Sequence, residues 1–258
     1  MTRLALEEVT FWYPATRAPA LREVSLEVAA GEIVALVGKV GAGASTLLLV
    51  AADLAPRVTG GRLAGAVRRR ARSGIVLPTP WTQLSGMAFT VWDEVAFGPA
   101  NLGWPGHEIA RHVDHALERL EIVSLAARDP ITLSGGELQR VIVAGLLAMD
   151  PDLVLLDEPT AELDPAGARS MWRLLRLLAG EGKAIVVATS ELDAVPDVAD
   201  RVVWLEAGAV RAIGTPQLIA EDAACDDGLG TTVARIWRAA GLAPPYPLTV
   251  ADAVQRWP

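Results

Sequence analysis

Three short apolar runs, Glu32 to Val37, Leu153 to Leu156 and Ala184 to Ala188, stand out along the chain, each bounded by Gly, Pro or charge. A strand covered on both faces reads this way, because no alternate residue meets water, so buried parallel strands are predicted. Helical patterns lie between them, as an α/β fold requires. From Val91 to Leu125 the character is that of amphipathic helix, with Ile109, Val113, Leu117 and Leu120 on an apolar face opposite acids and bases. This predicts a helical insertion. After Gly214-Thr215-Pro216 the core pattern stops, and residues 217–258 form a short tail with the Pro-rich turn Pro244-Pro245-Tyr246-Pro247.

At 258 residues the chain accommodates one large α/β domain and a small appendage. Its 23 basic and 31 acidic residues give a net charge of -8, and the pI is near 5.0. That balance excludes a general nucleic-acid binder, which needs a basic face to displace counterions. The one basic run, Arg68, Arg69, Arg70 and Arg72, is read as a solvated strand end or turn. Hydrophobic residues make up 52% and mean hydropathy is +0.33, yet every apolar run breaks before the ~20 residues of a spanning helix. No apolar leader follows Met1, so a cytoplasmic location is expected. The single cysteine, Cys225, allows no internal disulfide; it lies among Glu221, Asp222, Asp226 and Asp227, which raise a thiol pKa, and is read as incidental. His107, His112 and His115 have no partners at metal-ligand spacing and are read as solvated helix residues.

The first apolar run leads into Gly38-Lys39-Val40-Gly41-Ala42-Gly43-Ala44-Ser45-Thr46 and then the apolar helix Leu47-Leu48-Leu49-Val50. Strand, glycine loop and helix together make a phosphate loop: successive backbone N–H groups turn inward and the helix presents its positive end. Ser45 stands where a hydroxyl coordinates Mg2+. The pattern Gly-x-x-x-x-Gly-Lys-Ser/Thr asks for lysine at position 44, and this chain has alanine. A charge-assisted hydrogen bond contributes about 1.5–3 kcal/mol, so hydrolysis is expected to fall by at least about one to two orders of magnitude while binding survives. Lys39, one of two lysines in the chain, lies in the loop; it is read either as a substitute phosphate contact or as a solvated residue.

The second run, Leu153-Val154-Leu155-Leu156, ends in Asp157-Glu158-Pro159-Thr160. Adjacent carboxylates at a strand end suit a metal-side acid, Asp157, and a general base, Glu158. Upstream, Leu133-Ser134-Gly135-Gly136-Glu137-Leu138-Gln139-Arg140 opens a helix whose N–H groups, hydroxyl and dipole can also grip phosphate.

The order of phosphate loop, LSGGELQR, LVLLDEPT and Ala161-Glu162-Leu163-Asp164 resembles the ATP-binding-cassette ATPases over nearly the whole chain. The resemblance implies an α/β fold of the P-loop NTPase type over residues 1–216: a RecA-like core with an antiparallel β subdomain and an inserted α-helical signature subdomain, about 84–138. Residues 217–258 then form a C-terminal extension that contributes a dimer contact. It also implies ATP and Mg2+ as ligands, Tyr13 in Phe11-Trp12-Tyr13-Pro14 stacked on adenine, and Asp164 bridging a dimer. Nucleotide contacts would come from Gly38 through Thr46, including Val40, Ala42 and Ala44, and from Leu133, Ser134, Gly135 and Gly136, with Ser45 and Asp157 on the metal.

Pro80-Trp81-Thr82-Gln83, Asp93 to Gly98, Asn101-Leu102-Gly103 and the Pro-rich tail resemble, within that superfamily, the energy-coupling-factor ATPases that serve vitamin and cobalt or nickel importers. Those pair two ATPases with a transmembrane scaffold and a substrate-capturing membrane subunit, so Asp93 to Gly98 is expected to face the scaffold, with Asp93 and Glu94 offering acids. Where the family has a glutamine and a histidine at the nucleotide, this chain has Pro78 and Ser190, although Gln83 is kept. Three departures in one site, beside an intact LSGGELQR, imply the degenerate half of a heterodimeric transport ATPase at the cytoplasmic face of the membrane, completing the site of a partner with intact motifs. Two alternatives remain: a non-transport regulatory or assembly protein switched by nucleotide, and a self-sufficient homodimer clamped by Lys39.

Overall fold

The computed structural model describes residues 1–190, 193, 195, 197–223 and 231–256; Cys225 and Glu191 lie outside them. Strands β1 (Thr2–Trp12), β2 (Leu21–Ala29) and β4 (Arg62–Arg69) form an antiparallel sheet in the order β2-β1-β4. In β2, Leu21, Val24, Leu26 and Val28 are buried while the residues between them are exposed, the mark of a sheet with one wet face. The second sheet runs β5 (Ser73–Val76), β6 (Leu153–Asp157), β7 (Ala184–Ala188), β3 (Ile33–Val37), β8 (Arg201–Glu206), β9 (Ala209–Gly214). Its first five strands are parallel and β9 returns antiparallel to β8.

Every residue of β3, β6 and β7 is buried, which is why the three apolar runs show no alternation. Val34, Leu36, Leu155 and Val186 pack toward the antiparallel sheet and α1 (Ala44–Ala51); Ile33, Val154, Leu156 and Val187 pack on the opposite face against the helical layer. Among the described residues the chain thus buries a large core on each side of a central sheet, with a smaller cluster of Ala35, Val37, Val202 and Trp204 against Ile219.

The helical layer comprises α2 (Val91–Asn101), α3 (Gly106–Arg119), α4 (Gly135–Ala148) and α5 (Pro165–Gly180). The amphipathic stretch expected from Val91 to Leu125 is two helices and a 3-10 turn, Val123–Leu125, because Gly103 takes a φ of 76° and Pro105 caps α3. Val113 and Leu117 are buried as the pattern requires. His112 is not a solvated residue: it is half-buried with its ring edge-on to Trp104 at 4.8 Å, and burial, then Arg111, holds its pKa down. The basic run ends β4, where Arg68 pairs with Glu7 at 3.1 Å and the half-buried Arg69 reaches Asp53 at 2.8 Å. Beyond β9 come α6 (Pro216–Ala223), α7 (Thr232–Ala239) and α8 (Val250–Arg256).

Leu36, fully buried at 0% exposure in the central strand, and Leu177, 54% exposed on α5, bracket the range of packing. Leu36→Ala is expected to destabilise by about 2–5 kcal/mol, and Leu177→Ala by under about 0.5 kcal/mol, in urea unfolding with unchanged m. Equal effects would contradict the two-sided burial of β3.

Candidate functional site

The phosphate loop leaves the carboxyl end of β3 and turns into α1. Gly38 is required by its surroundings, since a β-carbon there would lie 2.6 Å from the Leu205 carbonyl oxygen and 2.7 Å from Ala42 Cβ. Gly43, at φ 108°, is the N-cap of α1 and offers no side-chain cap. The first N–H groups of α1 therefore lack a side-chain acceptor and open on a cavity of about 270 Å3 lined by residues 38–46 with Pro78, Asp157, Glu158 and Ser190. The ends of β3, β6 and β7 supply these walls, the usual ligand side of an open parallel sheet.

Asp157 closes β6 and is 3% exposed. Burial pushes its carboxyl pKa above the ordinary range; a hydrogen bond from the Ser45 hydroxyl pulls it back, and the neighbouring Glu158 charge adds to the rise. Its Oδ2 atom is buried without a hydrogen-bond partner. A buried, partnerless carboxylate oxygen beside a serine hydroxyl fits a hard divalent cation such as Mg2+. Glu158 takes a left-handed backbone, φ 49°, and turns its carboxylate onto the segment after β7: Ser190 N–H donates to Oε1 at 2.8 Å and the Thr189 hydroxyl to Oε2 at 3.3 Å. Thr189 was not singled out by sequence reasoning, and its only signal was its position next to Ser190.

Lys39, Val40 and Gly41 are exposed at the loop's outer edge, and the Ala42 N–H closes a turn on the Lys39 carbonyl at 2.8 Å. Thr46 is buried, and its hydroxyl lies 3.2 Å from the Tyr13 hydroxyl; the Tyr13 ring meets Phe11 edge-on at 4.9 Å. Tyr13 is thereby tied to the loop. Gln83 brackets the segment around Pro78: its Oε1 accepts from Leu77 N–H at 2.8 Å and its Nε2 donates to the Leu77 carbonyl at 3.0 Å.

Leu133, Ser134, Gly135, Gly136 and Asp164 line no part of this cavity. Ser134 is the exposed N-cap of α4 in a capping box with Glu137: its hydroxyl donates to Glu137 Oε2 at 2.9 Å and accepts from Glu137 N–H, while Ser134 N–H donates to the same carboxylate at 2.8 Å. Those bonds, with Arg128 at 3.0 Å, hold the Glu137 pKa down. The serine hydroxyl is thus engaged locally, and the capping box meets the N–H groups of Ser134 and Glu137 rather than those of Gly135 and Gly136. Asp164 caps α5 through a bond from Gly167 N–H at 2.7 Å. Of the two acids expected to meet a basic partner, Asp93 is exposed, whereas Glu94 is half-buried and holds Ser85 through its N–H and hydroxyl, both at 2.7 Å.

Comparison with known proteins agrees with this geometry. The family described as ABC transporter matches residues 21–161. The chain is 39% identical over 224 residues to an energy-coupling factor transporter ATP-binding protein, EcfA2, of Methanospirillum hungatei, covering 83% of this chain and 56% of that protein. It is 37% identical over 225 residues to EcfA1 of Lacticaseibacillus paracasei, covering 84% and 80%. The chain thus spans little more than half the Methanospirillum protein, and 37% and 38% of two Methanosarcina relatives. Among solved structures, cbiO1 from Clostridium perfringens, part of the ABC transporter complex cbiONQ, superposes with a TM-score of 0.75 at 29% identity, covering 93% of this chain and 99% of that one. A dimeric ATP-binding cassette in a post-hydrolysis state with ADP and Pi gives 0.72 at 26% identity, covering 83% and 98%. The chain belongs to the ABC transporter family, and within it resembles the ATP-binding subunits of energy-coupling factor transporters.

Proposed function

We propose that this chain is the ATP-binding subunit of an energy-coupling-factor importer, and the half of a heterodimeric ATPase whose own site is slow. The cavity wall carries the reading: the glycine loop, Ser45 and Asp157 converge there, while Ala44, Pro78 and Ser190 stand where a lysine, a glutamine and a histidine would meet the phosphates. In this reading residues 1–216 are the cassette, with the helical insertion at about 84–138, and residues 217–258 are an extension that contributes a dimer contact.

ATP would lie over Gly38 to Thr46 with Tyr13 against the adenine, and Ser45 and Asp157 would hold Mg2+, which when bound offsets charge on the phosphates. Backbone N–H groups would orient the phosphates, and Lys39, exposed at the loop edge, would be either a further phosphate contact or a solvated loop residue. Glu158 takes a proton from water at its carboxylate once Ser190 and Thr189 release it. Gly135 and Gly136, with Leu133 and Ser134, would complete the site of a partner ATPase with intact motifs, and Asp164 would lie at the pair's interface.

A transmembrane scaffold and a substrate-binding membrane subunit, with a vitamin or metal ion as cargo, complete the assembly at the cytoplasmic face of the membrane. Among the described residues no helix is long and apolar enough to cross a bilayer. Trp81, Met87, Phe89 and Phe97 are nonetheless exposed along the segment that leads into and through α2. That apolar display supports a membrane-protein partner over the free-standing regulatory alternative.

The purified chain is expected to bind Mg-ATP in isothermal titration but to turn it over far more slowly than a site with all three side chains. Absence of ATP binding even in the assembled complex would remove the nucleotide-site assignment. Ala44→Lys should tighten binding by roughly 10–100-fold while raising turnover by less than about tenfold, because Pro78 and Ser190 still leave water and γ-phosphate without side-chain contacts. Full recovery of rate would show that lysine alone was limiting. In the assembled complex, Ser134→Arg or Gly135→Asp is expected to cut single-turnover hydrolysis by about 100-fold or more, and Glu158→Gln by less than about threefold. Equal damage from Glu158→Gln would make this chain's own site fully catalytic.

A further inference from the structure

The turn between β6 and α5 brings an acid to the outward end of α4. A β-carbon built at Gly135 would lie 2.5 Å from Glu162 Oε2, and one at Gly136 would lie 3.0 Å from the Glu162 carbonyl oxygen. The two glycines admit this turn by having no side chains, and Glu162 is itself exposed. Its neighbours are committed elsewhere. Asp164 caps α5, and Glu137 is held by Ser134 and Arg128. Glu162 therefore places its charge against the first turn of α4, next to Gly135 and Gly136, while the capping box occupies the N–H groups of Ser134 and Glu137.

We propose that Glu162 is an electrostatic gate on this end of α4: its carboxylate stands where the γ-phosphate held by a partner ATPase has to arrive, so closure of the pair is set by displacing or screening that charge. The inference rests on the reading that Gly135 and Gly136 serve a partner's nucleotide, and it makes Glu162 a positioning residue, since it acts through the approach of the phosphate. Two like charges about 4 Å apart near a protein surface repel enough to weaken an association constant roughly tenfold, and salt reduces the effect. An acid at a helix N-terminus also favours the helix. A merely structural Glu162 would thus act on stability, whereas a gate acts on nucleotide concentration dependence.

The test uses the complex purified through a tag on this chain, with ATP hydrolysis followed against ATP concentration at about 50 mM and about 500 mM KCl. Glu162→Gln is expected to lower KM for ATP about five- to tenfold at low salt, with kcat within about twofold and the difference largely gone at high salt. Glu162→Asp, which keeps the charge, should retain the parental KM. An unmoved KM, or a fall in melting temperature with KM unchanged, overturns the gate if Ser134→Arg still abolishes turnover. Turnover untouched by Ser134→Arg overturns the partner-serving reading, and the gate with it.

Discussion

Taking a carboxylate out of water costs several kcal/mol unless its lone pairs are met, and β6 carries one, Asp157, at its carboxyl end inside the central sheet with one oxygen unmet. The rest of the site is arranged around that charge. Ser45, at the start of α1, meets one side, and the glycine loop that precedes it is threaded against Leu205 so tightly that Gly38 has room for no side chain. The unmet oxygen is a cost to the folded chain, and in the reading proposed above a divalent cation would relieve it. In that reading metal affinity would come from this strand end and Ser45, apart from the side chains at Ala44, Pro78 and Ser190.

The nucleotide cavity and the exposed end of α4 use the same physics, free N–H groups at a helix start, but differ in what surrounds them. At α1 the glycine loop wraps the donors into a pocket. At α4 the capping box takes the Ser134 hydroxyl and N–H and the Glu137 N–H, and does not involve the glycine donors. One end is enclosed by its own chain, and the other needs a surface from elsewhere to enclose it. The two helix starts thus differ in completeness, which is what the proposed pairing with a second ATPase would use.

Much of this was legible along the chain because it depends on local pattern. The strands β3, β6 and β7 are short runs with both faces buried, and the phosphate loop, the β6 acids and the capping box of α4 are each contiguous. The resemblance to cassette ATPases drawn from those motifs agrees with the family match and the fold. What escaped is set by contacts between distant residues. The break between α2 and α3 follows from Gly103 and Pro105, but the apolar spacing runs on across it. Glu94 looked available until the fold brought Ser85 onto it, and His112 looked solvated until Trp104 covered it. Gln83 was visible as a residue, yet its hold on Leu77 depends on a turn that no periodicity encodes.

Glu158 is tied to the segment that follows β7. Its left-handed backbone, φ 49°, is a conformation that costs a non-glycine residue about 1 kcal/mol or more, and the bonds from Ser190 N–H and Thr189 help retain it. The bond from Ser190 uses the backbone, which any residue at that position supplies. The restraint on Glu158 therefore does not depend on which side chain stands at position 190. In the proposed reading a serine at this position keeps the resting geometry while withdrawing a side chain from the phosphates, so the cassette's shape and the rate of its own site would be set by different atoms of one residue.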